Sequence, residues 1–154
     1  MGAHALLKKR NGLLVDLKVT PATGKAEVEA AEAMLKRQAR RRIQPKTLGR
    51  DKGYDNKGFV AMLRGRKITP HMNQNTDKRG GLAIDGRTSR HPGYSTSQRV
   101  RKRVEEIYGW VKTVGGFRKT RFKGVQRAQL AAWFVGSAYN LLCIAQLMLQ
   151  EAMG

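Results

Sequence analysis

The run from Leu130 to Leu149 most constrains what this chain can fold into, because it carries no charged residue in a protein whose net charge is +20. A run of that length spans a bilayer when helical. Arg118, Lys119, Arg121, Lys123 and Arg127 precede it, as a positive-inside flank would. Against a membrane reading, Ser137, Asn140 and Gln146 recur along the run and Gly136-Ser137 falls near its middle, and polar groups are costly in lipid. The spacing therefore predicts an apolar helix over 128–150 that is buried against a sheet, with no membrane partner. Should the chain lack part of its natural domain, the same helix is expected to be partly uncovered.

The chain has 154 residues, enough for one domain, and its 40% hydrophobic and 27% charged residues are those of a globular protein and not of a disordered tail. Lys plus Arg number 31 against 11 Asp plus Glu, an imbalance that calls for a polyanionic partner, most simply nucleic acid. The single cysteine, Cys143, excludes a disulfide framework and a cysteine-cluster zinc site, and His4, His71 and His91 have no zinc spacing. Lys8-Lys9-Arg10 follow the first apolar residues, the reverse of a signal peptide, so a reducing cytosol is the expected compartment.

Ala5 to Val19 reads as an antiparallel hairpin, with Asn11-Gly12 as the turn signal and Leu13, Val15, Leu17 and Val19 on one face. Lys25 to Arg42 reads as a helix, acidic at its start (Glu27, Glu29) and basic at its end. Thr47-Leu48 end a short strand that runs into Gly49 to Asp55, and a helix around Phe59 to Leu63 closes at Gly65. Ile68 to Met72 is a strand that Pro70 places at an edge. Asn73 to Ser97 has no apolar periodicity and is expected to be a mobile basic loop. Gln98 to Val114 is a helix whose stripe is Val100, Val104, Ile107, Val111 and Val114, and Phe117 to Arg127 is a basic connector to the apolar helix. The order predicts a mixed α/β domain over residues 1–154.

Acidic residues are few enough to weigh singly. Asp16 alternates with Val15 and Leu17 and is expected on the wet face of its strand. Asp51 stands where a strand meets a glycine-containing turn, a place where ligand-binding groups collect. On a helical wheel Arg101, Glu105, Tyr108 and Lys112 form one narrow stripe beside the apolar one, while Glu106 lies about a quarter turn further round. That stripe is either a salt-bridged surface row or a carboxylate at the border of a site. Two carboxylates on separate elements of a basic chain suit Mg²⁺-dependent phosphoryl chemistry. Residues 99 to 127 hold ten Lys and Arg against Glu105 and Glu106, a DNA-backbone surface on electrostatic grounds.

Arg101, Glu105 and Lys112, in the run Glu105-Glu106-Ile107-Tyr108-Gly109-Trp110-Val111-Lys112, resemble the C-terminal signature Tyr-x2-Arg-x3-Glu-x6-Lys of bacterial insertion-sequence transposases of the DDE class. Asp51-Lys52-Gly53-Tyr54-Asp55 looks like the segment that holds that family's second catalytic aspartate. His4-Ala5-Leu6, Asn11-Gly12-Leu13, Thr23 to Glu27 and Ala138-Tyr139-Asn140-Leu141 are also similar to the family, in its order. The resemblance implies an RNase H-like mixed sheet flanked by helices and two Mg²⁺ ions, with Mn²⁺ as a substitute. It also implies strand cleavage and transfer at transposon ends, in the cytosol and nucleoid, with no small-molecule substrate and with a homo-oligomer in the intact protein. By the same resemblance Asp51 and Glu105 are catalytic metal ligands, and Arg101 and Lys112 hold DNA phosphates.

Two departures stand out. The consensus Tyr position is Gln98, and Tyr94 is out of register. The family's first aspartate lies on a strand upstream of the hairpin, and Asp16 aligns with a later strand. The chain is thus expected to be a truncated copy without its first strand and first metal ligand, and to be inactive. The alternative reading is a non-catalytic basic nucleic-acid-binding protein.

Overall fold

The computed structural model describes residues 1–50, 57–72, 90, 94, 102–119 and 121–154. Among these the order is β1 (Gly2–Leu7), β2 (Leu14–Thr20), α1 (Ala26–Arg40), β3 (Thr47–Arg50), α2 (Lys57–Gly65), β4 (Thr69–Met72), α3 (Lys102–Thr113) and α4 (Val125–Ala152). The succession of hairpin, helix, strand, helix, strand, helix, helix is the one the sequence predicts. The mobile-loop expectation for residues 73–97 lies outside the described residues, Arg90 and Tyr94 apart. The chain divides into two compact units: Met1–Arg37 with Lys102–Gly154, and Gln38–Arg101.

In the first unit β1 and β2 pair antiparallel, with Ala3 opposite Val19 and Ala5 opposite Leu17. The connection closes through Lys8 N–H to Leu13 O at 2.7 Å, and Gly12 takes the left-handed φ of 73° that its turn needs. Backbone groups of alternate residues in an antiparallel pair point away from the partner strand. Here helix side chains receive them on both edges. On the β1 side, Ala5 N–H donates to Tyr108 Oη at 3.0 Å, and the same hydroxyl donates to Ala3 O at 3.1 Å. On the β2 side, Gln129 accepts from Val19 N–H at 2.8 Å and donates to Leu17 O at 2.9 Å. Further along, Asn140 accepts from Leu14 N–H and donates to Leu14 O, both at 2.8 Å. A side-chain amide presents the same donor and acceptor as a peptide unit. Gln129 and Asn140 lie about 16 Å apart along α4 at 1.5 Å per residue, which fits the length of β2 between their partners at 3.4 Å per residue, about 14 Å. The helix therefore runs antiparallel to β2 and stands in for a neighbouring strand.

Small residues permit that approach. Ala128, Ala132 and Gly136 are buried one turn apart on the face of α4 that meets the hairpin, where Ala5, Leu17 and Val19 complete the core with Leu14, Tyr108 and Phe117. A methyl group at Gly136 would sit 2.5 Å from Leu14 Cδ2. Trp110 and Tyr139 add an edge-to-face aromatic pair at 5.5 Å.

The expected burial of the apolar helix is not met. Only its narrow small-residue face is covered, and Leu130, Phe134, Leu141, Leu142, Met148 and Leu149 are exposed. The physical reason is that a two-stranded hairpin offers one edge and one face, too little surface to surround a helix of 28 residues. Val114 is a second correction: it lies one residue beyond the end of α3 at Thr113 and is 70% exposed, so it does not join the buried row of Ile107 and Val111. Asp16 is a third. Far from being a wet surface carboxylate, it is mostly buried, held by both Arg37 Nε (3.0 Å) and Nη2 (2.9 Å), and it accepts from Leu17 N–H at 2.8 Å.

The second unit is a β3–α2–β4 crossover with a parallel pair in which Leu48 faces Pro70. Thr69 N–H donates toward the β3 side, to Lys46 O at 2.9 Å, so the nitrogen of Pro70 points the other way and no ladder bond is lost. Among the described residues of this unit, Leu48, Phe59, Val60, Leu63 and Ile68 are apolar and buried. Helices α1 and α2 end alike. After α1, Ile43 N–H reaches back to Gln38 O with Arg42 at φ 59°; after α2, Ile68 N–H reaches Leu63 O with Lys67 at φ 58°. These are Schellman endings with a cation in the position that favours glycine. Lys67, not Gly65, makes the reversal that closes α2.

Three substitutions have defined consequences for stability. Asn140→Leu, which leaves both backbone groups of Leu14 unpartnered, is expected to lower the unfolding free energy by about 1–3 kcal/mol, whereas Gln146→Leu at an exposed position of the same helix changes it by less than about 0.5 kcal/mol. Lys67→Gly is expected to raise stability by about 1 kcal/mol by removing the left-handed strain. Urea titration followed by far-ultraviolet circular dichroism reads all three.

Candidate functional site

Helix α3 carries the densest group of candidate residues. Its buried row, Ile107 and Val111, fixes which way it faces, and Tyr108 anchors it to the edge of β1. Glu105 lies three residues before Tyr108 and Lys112 four after, so the three share one helix face. Both Glu105 and Lys112 are exposed. Glu106 is exposed as well, but about 100° further round the helix, off the face that Tyr108 brings to the sheet edge. The stripe predicted from the wheel is thus real at Glu105, Tyr108 and Lys112. Arg101 and Asp51 lie outside the described residues, as does the turn from Asp51 to Asp55.

After α3, Gly115 is packed so closely that a methyl group there would sit 2.7 Å from Val135 Cγ1 and 2.8 Å from Val111 O. This contact clamps the end of α3 to α4 and fixes the start of the basic connector. Lys112, Arg118, Lys119, Arg121, Lys123 and Arg127 are all exposed, and no Asp or Glu occurs between Glu106 and Glu151. The result is a run of exposed cations, uninterrupted by any acid in the sequence, that attracts phosphate.

Tyr94, the near match to the consensus Tyr, is half-buried and sits edge-on to the buried His71 at 6.0 Å; burial pushes its phenol up from the usual range. His4 is buried and bonded to Thr20 Oγ1 at 2.9 Å, a structural histidine. Among the described residues no three His, Cys, Asp or Glu side chains group closely enough to hold a metal ion.

Comparison with known families completes the picture: residues 1–141 match the transposase DDE domain. The chain belongs to the DDE transposase family. The match covers the hairpin, α1, the β3–α2–β4 crossover, α3 with Glu105 and Lys112, and the part of α4 that holds Gln129 and Asn140. No curated protein and no solved structure matches the chain. Members of this family act on DNA and generally use divalent metal ions. Of the two candidate metal ligands, Glu105 alone lies among the described residues, where it is exposed.

The sequence missed the structural use of Tyr108, Gln129 and Asn140. The available signal was polar residues at helical spacing in otherwise apolar helices, which mark a face that meets backbone and not lipid.

The cationic connector makes a direct prediction. Lys119→Gln and Arg121→Gln are each expected to weaken duplex binding to a similar extent for any sequence, and each to reduce the slope of log affinity against log salt by about one. Fluorescence anisotropy on unrelated duplexes, titrated between low and physiological salt, measures both.

Proposed function

We propose that this chain is DNA-handling machinery of an RNase H-like DDE transposase, in which Asp51 and Glu105 hold divalent cations and Arg101, Lys112, Lys119 and Arg121 hold DNA phosphates. The observation that carries this reading is the family match over residues 1–141, with Glu105 and Lys112 exposed on the one face of α3 that Tyr108 fixes. Mg²⁺ ions, with Mn²⁺ as substitute, would activate the attacking oxygen and stabilise the leaving one when bound. The residues of the chain supply the rest. Glu105 offers oxygen to the cations, Lys112 about two turns further on neutralises a phosphate beside them, and the connector holds the backbone on either side. A protein that acts on DNA in this way would work in the cytosol and nucleoid, without a small-molecule substrate or a membrane.

We further propose that the chain as given binds DNA without cutting it. Three carboxylates hold the two ions in the family's site, and among the described residues the candidate substitute ligand, Asp16, is taken up by Arg37 and its own strand. In this state the protein behaves as a basic DNA-binding protein, the role that its composition alone suggests.

A supercoiled plasmid that carries the element's ends tests both statements. With Mg²⁺ or Mn²⁺ the chain is expected to shift the plasmid and leave it unnicked. Joined to a strand that carries the family's first aspartate, it is expected to nick, and Glu105→Gln to abolish nicking while Glu106→Gln keeps most of it. Metal-dependent nicking by the chain alone that disappears in Asp51→Ala overturns the inactive reading; equal loss from the two glutamate variants overturns the assignment of Glu105.

A further inference from the structure

Helices α1 and α2 end in the same backbone motif, yet the apolar residue that closes it fares differently in the two. Ile68, after α2, is 3% exposed, and Leu63, whose carbonyl it bonds, is fully buried. A Schellman ending commonly sets such a residue against the last turn of its helix. Ile43 holds the same place after α1, where the bonded residue is the polar Gln38, and it is 50% exposed. Around it in the chain stand Arg40, Arg41, Arg42, Gln44 and Lys46, all exposed. The segment is held firmly. Arg41 N–H and Ile43 N–H both donate to Gln38 O at 3.0 Å, Arg42 N–H donates to Ala39 O at 3.0 Å, and Gln44 Nε2 donates to Arg66 O at 2.6 Å. That last bond brings the turn after α2 alongside, with Arg66 and the exposed Lys67. Among the described residues of this unit there is no Asp or Glu. A helix C-terminus carries about half a negative charge, which one cation offsets; three consecutive arginines reverse its sign.

We propose that Ile43 is a wedge for the minor groove of duplex DNA, and that this corner of the second unit kinks the duplex it holds. The inference rests on the chain binding DNA at all, and adds to phosphate contact an activity, bending, that phosphate contact alone does not supply. Proteins that kink DNA from the minor groove push an apolar side chain between two base pairs and set Arg, Lys or Gln beside it. Arg41-Arg42-Ile43-Gln44-Pro45 offers that set in one stretch. Gln44 is spent on Arg66 O and positions the corner, so Arg41 and Arg42 are the groups left to enter the groove. Isoleucine gains nothing from a phosphate, and gains by leaving water for the apolar face of a base. A wedge must also not fold back when it meets a base stack. The two bonds to Gln38 O and the left-handed turn at Arg42 (φ 59°) fix where Ile43 leaves the helix, and Gln38 gives it no apolar seat to retreat to. Lys46, Arg66 and Lys67 stand on the same edge to take phosphates on either side of the kink. Unstacking costs least at flexible pyrimidine–purine steps, so such a site favours TA over a run of G·C pairs.

The test uses the full chain and two short duplexes labelled at both ends, one with a central TA step and one with a central G tract. Energy transfer between the ends is expected to rise on binding to the TA duplex, by the amount that a kink of about 20° or more produces. A 2-aminopurine beside the step should brighten as it unstacks, and the TA duplex should bind at least about threefold more tightly than the other. Ile43→Ala should abolish the kink and the brightening and bring the two affinities together, with the circular dichroism spectrum of the folded chain retained. Ile43→Leu, which restores an apolar wedge, should recover all three signals. Lys119→Gln in the connector should weaken both duplexes alike, and the TA complexes that still form should be kinked. A bound TA duplex that stays straight, or a kink that survives Ile43→Ala, overturns the wedge and leaves the connector's phosphate contacts standing. A chain that binds neither duplex overturns the wedge and DNA binding together.

Discussion

Three side chains hold the first unit together by imitating backbone. A two-stranded hairpin is marginal alone, because each strand leaves a row of peptide groups with nothing to bond. Tyr108 meets those of Ala3 and Ala5, Gln129 those of Leu17 and Val19, and Asn140 those of Leu14. Each of these bonds also fixes a helix: Tyr108 sets the rotation of α3, and the two amides set the height and direction of α4. The position of Glu105 depends on the first, and the outward face of α4 on the second. Remove the amides and α4 has only a strip of small residues by which to hold its place.

Much of this was legible from the chain alone. The hairpin followed from Asn11-Gly12 and the alternation after it, and α3 from the spacing of Val104, Ile107 and Val111. What was not legible shares one cause. Periodicity reports which residues are apolar on a face, but not whether a partner exists to cover that face. Leu130 to Leu149 was therefore expected to be buried, although the hairpin has too little surface to bury it. Asp16 failed in the opposite sense. Alternation put it on the wet side of β2, and no local signal announces that Arg37, on another element, folds over it. Val114 misled because α3 stops at Thr113, so the helical period ends one residue before it.

Of the candidate site, the half on α3 was readable as a stripe, because a helix converts spacing into a face. Glu105 and Lys112 have their places there, and Glu106 is turned aside. Asp51 and Arg101 lie outside the described residues. The cationic connector needed no geometry to be recognised, since six bases without an intervening acid form an electrostatic surface in any conformation that leaves them exposed.

The hydroxyl of Tyr108 makes the outer edge of β1 a guarded one. Any strand that comes to pair with β1 there must bond the same two groups, Ala3 O and Ala5 N–H, that the phenol already occupies. Sheet growth at that edge is therefore an exchange and not an addition: the newcomer gains a ladder only as α3 lets go. Because α3 carries Glu105, extension of the sheet and reorientation of the carboxylate become a single mechanical event, and the amide of Ala5, slow to exchange with solvent while the phenol is seated, is the atom that registers it.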